Sequence, residues 1–394
     1  MIELLAPCHD FSTLKAAIKA GANAVYFGVK ELNMRMNAKN FKLSELKKIT
    51  KLCKEKKIKT YLTLNSIIYE NELKKAQTII KKAKQAGIDA IIINDLSLIN
   101  FCKEEKIKFH ISTQASVSNS QSANEYKKLG ADRAILAREV SLKDLKKIAK
   151  NSKIDLEVFI HGAMCASISG RCFLSGAIYQ KSANRGECMQ PCRQEWVVKN
   201  KYGELIYDNE RFINAKDLCT IQFLDKIIKT GVKSLKIEGR MKDANYVFAV
   251  TKTYREAIDN YDKSKINQWI ENLKSVYNRG FSTGFYLKKP GKEDIEYSID
   301  GTASKHKKIL AGTVKNYYKK NKAAEIILNN SSLKLGDEII IQGKTTFLKQ
   351  KIQSMQINKK NLLKAKKGER IAIKLNQTAR KNDLVFKIAL KSNI

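Results

Sequence analysis

Residues 84–95, KQAGIDAIIIND, decide the fold. A run of helix-forming residues stops at Gly87, and after a three-residue step an apolar, β-branched run begins. Glycine ends a helix well because it takes the left-handed conformation without a Cβ penalty, so this stretch is a joint from helix into strand. The same joint recurs at 19–28 (KAGANAVYFG, Gly21), 127–138 (KKLGADRAILAR, Gly130) and 229–240 (KTGVKSLKIEGR, Gly231). Repeated joints of this kind are the mark of βα units.

Working outward from these joints, eight short apolar runs read as strands: 2–7, 23–28, 59–65, 90–95, 108–113, 133–138, 155–161 and 234–239. Each is followed by a segment with helical periodicity. The runs are nearly continuous rather than alternating, as parallel strands covered on both faces should be. Eight strands alternating with eight helices predict a (β/α)8 TIM-like barrel over residues 1–290. A doubly wound open sheet is the runner-up, and the lack of a G-x-G-x-x-G after the first strand weakens it.

One excursion interrupts the pattern. After the seventh strand, roughly residues 162–219 carry Cys165, Cys172, Cys188 and Cys192, spaced C-x6-C-x15-C-x3-C, and a hairpin over 196–209. Barrel active sites are built from strand C-termini and the loops after them, so this cysteine-rich insertion falls on the functional face. Four thiolates from one loop suit an iron–sulfur cluster; a structural zinc site and ordinary core thiols are the other readings. Cys219 is a possible replacement ligand, and Cys8, after the first strand, is a weaker one. Cys53 and Cys102 stand in helical patterns as small hydrophobes.

The candidate catalytic residues sit at the same rim: His161 at the end of the seventh strand, and Glu238 and Arg240 at the end of the eighth. His161 is equally readable as a satisfied structural residue. Arg171, Arg185 and Arg193, interleaved with the cysteines, suit an anionic substrate, RNA phosphates or the charge of a cluster. No H-E-x-x-H occurs, the G-x-S-x-G match GFSTG at 280–284 is not read as a serine elbow, and Cys165 with His161 four residues before it gives no defined thiol-protease geometry.

Beyond the barrel, a polar linker (291–308) leads into short β runs with turns over 309–394, read as a small all-β barrel domain. Residues 303–394 hold 22 basic and 5 acidic residues, within a whole-chain net charge of +36. Such an excess favours a polyanion, with nucleic acid the foremost candidate; a lysine-rich coding bias is its second source. The opening MIELLAPCHDFSTLKAA has no basic segment followed by a long apolar run. No stretch approaches the length of a membrane span, so a cytoplasmic protein without membrane contact is expected.

The run EVFIHGAMCASISGRCFLS (157–175) resembles the signature of the collagenase-like peptidases, peptidase family U32: E-x-F-x-x-G-[SA]-[LM]-C-x4-G-x-C-x-[LIVM]-S. SLKIEGRMK (234–242), ELLAP with AVYFG, and NRGFSTGFY (278–286) resemble further stretches of that family. The resemblance implies oxygen-independent hydroxylation rather than proteolysis, by enzymes similar to the prephenate-dependent tRNA uridine hydroxylases that make 5-hydroxyuridine at the wobble position. It also implies a 4Fe-4S cluster on Cys165, Cys172, Cys188 and Cys192, prephenate as a small anionic co-substrate, and tRNA as the partner. A partner protein of the same family, ribosomal RNA cytidine as the substrate, peptidase activity and a non-catalytic zinc-containing RNA-binding role are the alternatives.

Overall fold

The computed structural model describes residues 2–391. The chain divides into two units, Met1–His9 with Ala17–Ala303, and Asp10–Ala16 with Ser304–Ile394. In the first, seven parallel strands follow in chain order: β1 Glu3–Pro7, β2 Ala24–Gly28, β3 Lys59–Leu64, β4 Ala90–Ile93, β5 Lys108–Ile111, β6 Arg133–Ile135 and β7 Asp155–Gly162. A hairpin comes next, β8 Trp196–Lys199 and β9 Leu205–Glu210, then β10 Asp217–Cys219, β11 Ser234–Ile237 and β12 Phe281–Ser282. Strand β11 pairs in parallel with β1 on one side and with β7 on the other, so β1–β7 and β11 close an eight-stranded barrel.

Helices α1 Phe11–Lys19, α2 Leu46–Lys54, α3 Leu73–Gln85, α4 Ser97–Glu104, α5 Ser120–Lys128 and α6 Leu142–Asn151 follow the first six strands. A short α7, Leu174–Tyr179, lies in the insertion; α8 Leu224–Ile228 leads into β11 and α9 Ala244–Asp259 follows it. No helix among the described residues is long and apolar enough to cross a membrane.

All four joint glycines are left-handed, with φ of +87°, +77°, +95° and +91° at Gly21, Gly87, Gly130 and Gly231. Two residues past the glycine, Asn23, Asp89 and Asp132 accept a hydrogen bond from the backbone N–H of Leu4, Thr60 and Phe109 in the preceding strand (2.9, 2.8 and 3.3 Å). These side chains satisfy N–H groups at the barrel's lower edge that no neighbouring strand reaches. The fourth copy has Lys233 at that place, whose side chain offers no acceptor; in all four copies the residue's own backbone N–H bonds the strand, in the fourth at Leu156 O (2.9 Å).

Strands β4, β5 and β6 end two or three residues earlier than the sequence patterning predicts. Their polar ends turn instead into helix starts and loop anchors: Asp95 accepts from Ser97 N (3.0 Å) and Ile68 N (3.2 Å). The helix expected directly after β2 begins only at Leu46, and the intervening stretch becomes a long functional loop.

The lower layer of the barrel interior is charged. Arg133 Nη1 reaches Glu3 Oε1 (2.5 Å) and Glu157 Oε2 (3.0 Å), and Lys236 Nζ reaches Glu157 Oε1 (2.9 Å). Tyr61 donates to Glu3 (2.7 Å), and so does Ser234 (3.1 Å). The register Glu3↔Ser234↔Glu157 brings these groups to one level, and each charge is paired as burial demands.

In the second unit, His306–Tyr318 pairs antiparallel with Ala323–Ile327 on one side and Leu384–Leu390 on the other. Glu338–Gln342 and Phe347–Lys351 extend one flank; Arg370–Lys374, Met355–Ile357 and Lys360–Asn361 extend the other. Alternating inward residues, among them Val314, Ile326, Ile341, Leu348, Ile373 and Val385, share one apolar core. These eight strands form one antiparallel sheet on this core, the small all-β unit expected at the C-terminus.

Candidate functional site

A cavity of about 310 Å³ opens at the C-terminal mouth of the barrel, and all four cysteines of the insertion line it. The insertion is held at its base, where β10 returns antiparallel to β7 through Leu218↔Gly162 and Cys219↔His161. Arg193, beside Cys192, donates to Asn214 Oδ1 (2.7 Å), to Ala215 O and to Met164 O (2.5 Å), tying the outgoing and returning segments together. At Gly186 (φ +89°) a Cβ would fall 2.1 Å from Asn33 O, so only glycine lets the insertion dock on the loop after β2. Met36 N seals that contact on Gly186 O (3.0 Å).

Cys165 is exposed, and Cys172, Cys188 and Cys192 are half-buried. Cys188 Sγ accepts from Gln190 N at 3.4 Å, a contact that stabilises a thiolate ligand. Burial pushes the Cys192 thiol up, against the pull of Arg193, so a metal must displace its proton. Four sulfurs around one zinc ion, at Zn–S of about 2.3 Å, would stand only about 3.8 Å apart. Among the described residues no three His, Cys, Asp or Glu side chains meet closely enough to hold a single metal ion. A four-iron cluster takes each thiolate on a different iron, and a soft four-sulfur set lining one cavity fits it in the chemistry of its donors.

The remaining lining is cationic. Arg35, Arg138, Arg193, Lys236, Arg240 and Arg279 face the cavity, with Glu238 as the one carboxylate among the described lining residues. Glu238 bridges Arg35 and Arg138, each at 3.3 Å. Burial pushes its carboxyl up, but Arg35, Arg138 and Arg240 outweigh that and hold it below the usual carboxylate range. Arg138 also lies over the Phe159 ring, 4.1 Å from its centroid. Arg240, 3% exposed, donates to Thr63 Oγ1 and to Asn33 Oδ1 (2.5 Å), which fixes its fork against the wall. Such an excess of fixed cations favours an anionic ligand.

Several sequence expectations meet a different environment. His161 does not reach the cavity: it is 1% exposed, its ring packs among Tyr246, Tyr254 and Phe281, and Nδ1 lies 3.4 Å from Tyr254 OH. Burial pushes its pKa down to about 3, which favours the neutral imidazole. Glu238 and Arg240 do line the cavity. Cys219 is buried behind the wall with Tyr254 OH 3.8 Å from its sulfur, and burial pushes the thiol up to about 11; neither it nor Cys8 joins the four. Among the interleaved arginines, Arg193 is spent on the staple, and Arg185 is spent on Glu72 and Ile67 O. Arg171 keeps only a 3.4 Å contact to Gln114 O and stays exposed at the rim.

Sequence reasoning missed Arg35, which stands on the long loop after β2 where no periodicity marks it. Lys236 was detectable in principle, as a charge inside an apolar strand (SLKIEG).

Fold and site together define a (β/α)8 barrel whose mouth gathers four cysteines and a ring of cations. The family model for peptidase family U32 matches residues 9–296, and the chain belongs to that family. It is 44% identical over 403 residues to an uncharacterized protease of Methanocaldococcus jannaschii, covering 98% of each chain. It is 36% identical to a collagenase of Porphyromonas gingivalis (98% of this chain, 97% of the relative). It is 34% identical to tRNA hydroxylation protein P1 of Bacillus subtilis (86% and 82%).

Proposed function

We propose that this protein is an RNA-modifying hydroxylase that converts wobble uridine of tRNA to 5-hydroxyuridine, independently of oxygen and with prephenate as co-substrate. The observation that carries this reading is the cavity at the C-terminal barrel mouth, lined by four cysteines and six cationic side chains. Cys165, Cys172, Cys188 and Cys192 would hold a 4Fe-4S cluster, which when bound supplies one-electron redox chemistry. Arg35 and Arg138, pre-oriented by Glu238, offer guanidinium forks to the carboxylates of the co-substrate. Arg240 holds the wall that positions it.

Chemistry on a base requires its extrusion from the stack. Phe173, 80% exposed between the cavity residues Cys172 and Leu174, presents an aromatic face at the rim on which an unpaired base can stack. Arg171 beside it supplies a cation for the backbone, and the basic C-terminal unit adds phosphate contacts that set register without reading sequence. Relatives named as tRNA hydroxylation proteins support the substrate class. A peptidase reading finds no nucleophile–base pair here, because the His161 imidazole is enclosed by rings away from Cys165.

Mass spectrometry of tRNA nucleosides from cells lacking the protein tests the proposal. Loss of 5-hydroxyuridine at the wobble position, restored by the wild-type gene, is expected. An unchanged level in a strain without a paralogue overturns it.

A further inference from the structure

The cavity at the C-terminal mouth has one wall without charge. Just past the ends of β3 and β5, Asn65, Ser112, Thr113 and Gln114 line it. Its cations stand on other elements, among them Arg35 on the loop after β2, Arg138 after β6, and Lys236 and Arg240 in and after β11.

A relay of hydrogen bonds fixes which way the Gln114 amide faces. The backbone N–H of Met34 can only donate, and it donates to Asn65 Oδ1 (3.3 Å), which turns Asn65 Nδ2 the other way. That nitrogen donates to Ser112 Oγ (3.0 Å) and to Gln114 Oε1 (3.1 Å), and Ser112 Oγ donates to the same Gln114 oxygen. Two donors thus hold Oε1, so Nε2 is the end left to donate outward. Among the described residues Nε2 has no partner, and it is not sealed off: Gln114 is half-buried and lines the cavity. Gly170 packs on the stem of Gln114, where a Cβ would fall 2.9 Å from Cγ, so the amide is braced as well as oriented.

A neutral amide held in this way reads a carbonyl oxygen, since a carboxylate is better served by the guanidinium forks of the same cavity. Pyrimidines differ at this point: C4 of uracil carries an acceptor oxygen, and C4 of cytosine carries an amino donor. Two donors set face to face leave both unpaired, which costs binding. We infer that Gln114, braced by Asn65 and Ser112, determines specificity for uridine over cytidine by donating from Nε2 to O4 of the extruded base. The inference rests on the RNA-hydroxylase reading of this mouth and adds to it the group that selects the base. C5, the carbon hydroxylated in that reading, is bonded to C4, so the same anchor sets where the reacting carbon lies.

Fluorescence anisotropy of the anaerobically purified full chain tests this, with two labelled RNA stem-loops identical but for uridine or cytidine at the one extrudable loop position. The wild type should bind the uridine loop at least about ten-fold more tightly. Gln114→Met, of similar shape but without a donor, should bring the ratio near one. Gln114→Glu, whose outward oxygen accepts from the cytosine amino group, should favour the cytidine loop. Circular dichroism first shows that both variants fold. Phe173→Ala should weaken both loops alike, because stacking tolerates either base. Equal affinity of the wild type for the two loops, an unchanged ratio in Gln114→Met, or a ratio that moves with Phe173→Ala instead overturns the assignment and leaves the RNA reading standing; failure to bind either loop sinks both.

Discussion

Replacing Glu157 by glutamine keeps the shape of the side chain and removes the charge that holds two buried cations. Glu157 is fully buried, with Lys236 at 2.9 Å and Arg133 at 3.0 Å. Burial pushes its carboxyl up, yet Lys236 and Arg133 outweigh this and bring it down from 4.5 to about 2. That depression corresponds to about 3 kcal/mol of folding free energy. Breaking a buried pair from one side costs about 3–5 kcal/mol, and Arg133 retains Glu3, so the lower end applies. For a unit of about 300 residues the melting midpoint should fall by about 5 °C.

The sign of the pH dependence follows from the depressed folded value. The stabilisation is complete above the unfolded carboxyl's range near 4.5 and is lost as pH falls through about 2. The wild type should lose this increment on acidification, and Glu157→Gln, having no carboxyl there, should not. Both tryptophans, Trp196 and Trp269, lie in the barrel unit, so tryptophan fluorescence during denaturation reports it. Equal midpoints for wild type and variant at pH 7 would refute the assignment of the ion pairs as the stabilising element.

Two further outcomes concern the mouth. Cys172→Ser and Cys192→Ser should each abolish visible charge-transfer absorption and acid-labile sulfide in anaerobically purified protein, whereas Cys219→Ser, behind the wall, should retain both; a colourless Cys219→Ser protein would contradict the ligand set. Phe173→Ala should weaken binding of an unpaired RNA loop by about ten-fold or more, with Trp restoring it and the visible absorption unchanged, as measured by fluorescence anisotropy. Equal affinities would remove the stacking role.

Much of the barrel was legible because its punctuation is local. A glycine at a helix end must satisfy its own φ, and Gly21, Gly87, Gly130 and Gly231 do so wherever the rest of the chain lies. The cysteine spacing was legible for the same reason, since one loop carries all four. His161 could not be assessed that way: what encloses it comes from Tyr246, Tyr254 and Phe281, more than eighty residues downstream. Nor does anything near Arg193 reveal that Asn214 and Met164 will claim its guanidinium. Arg133, Glu157 and Lys236 left a trace as charges inside apolar strands, legible as buried ion pairs once the strands are set side by side.

The charged layer across the barrel axis also bears on how faithfully the strands find their partners. Apolar parallel strands such as β2 and β4 are buried along their whole length and offer little to distinguish one alignment from the next. A single-residue slip of β11 against β7 would put Leu235 or Ile237 where Lys236 stands, stranding a carboxylate and an ammonium in the dark of the barrel. Mispaired assemblies are thus penalised where greasy side chains could not tell them apart, and the closing strand locks home in one alignment.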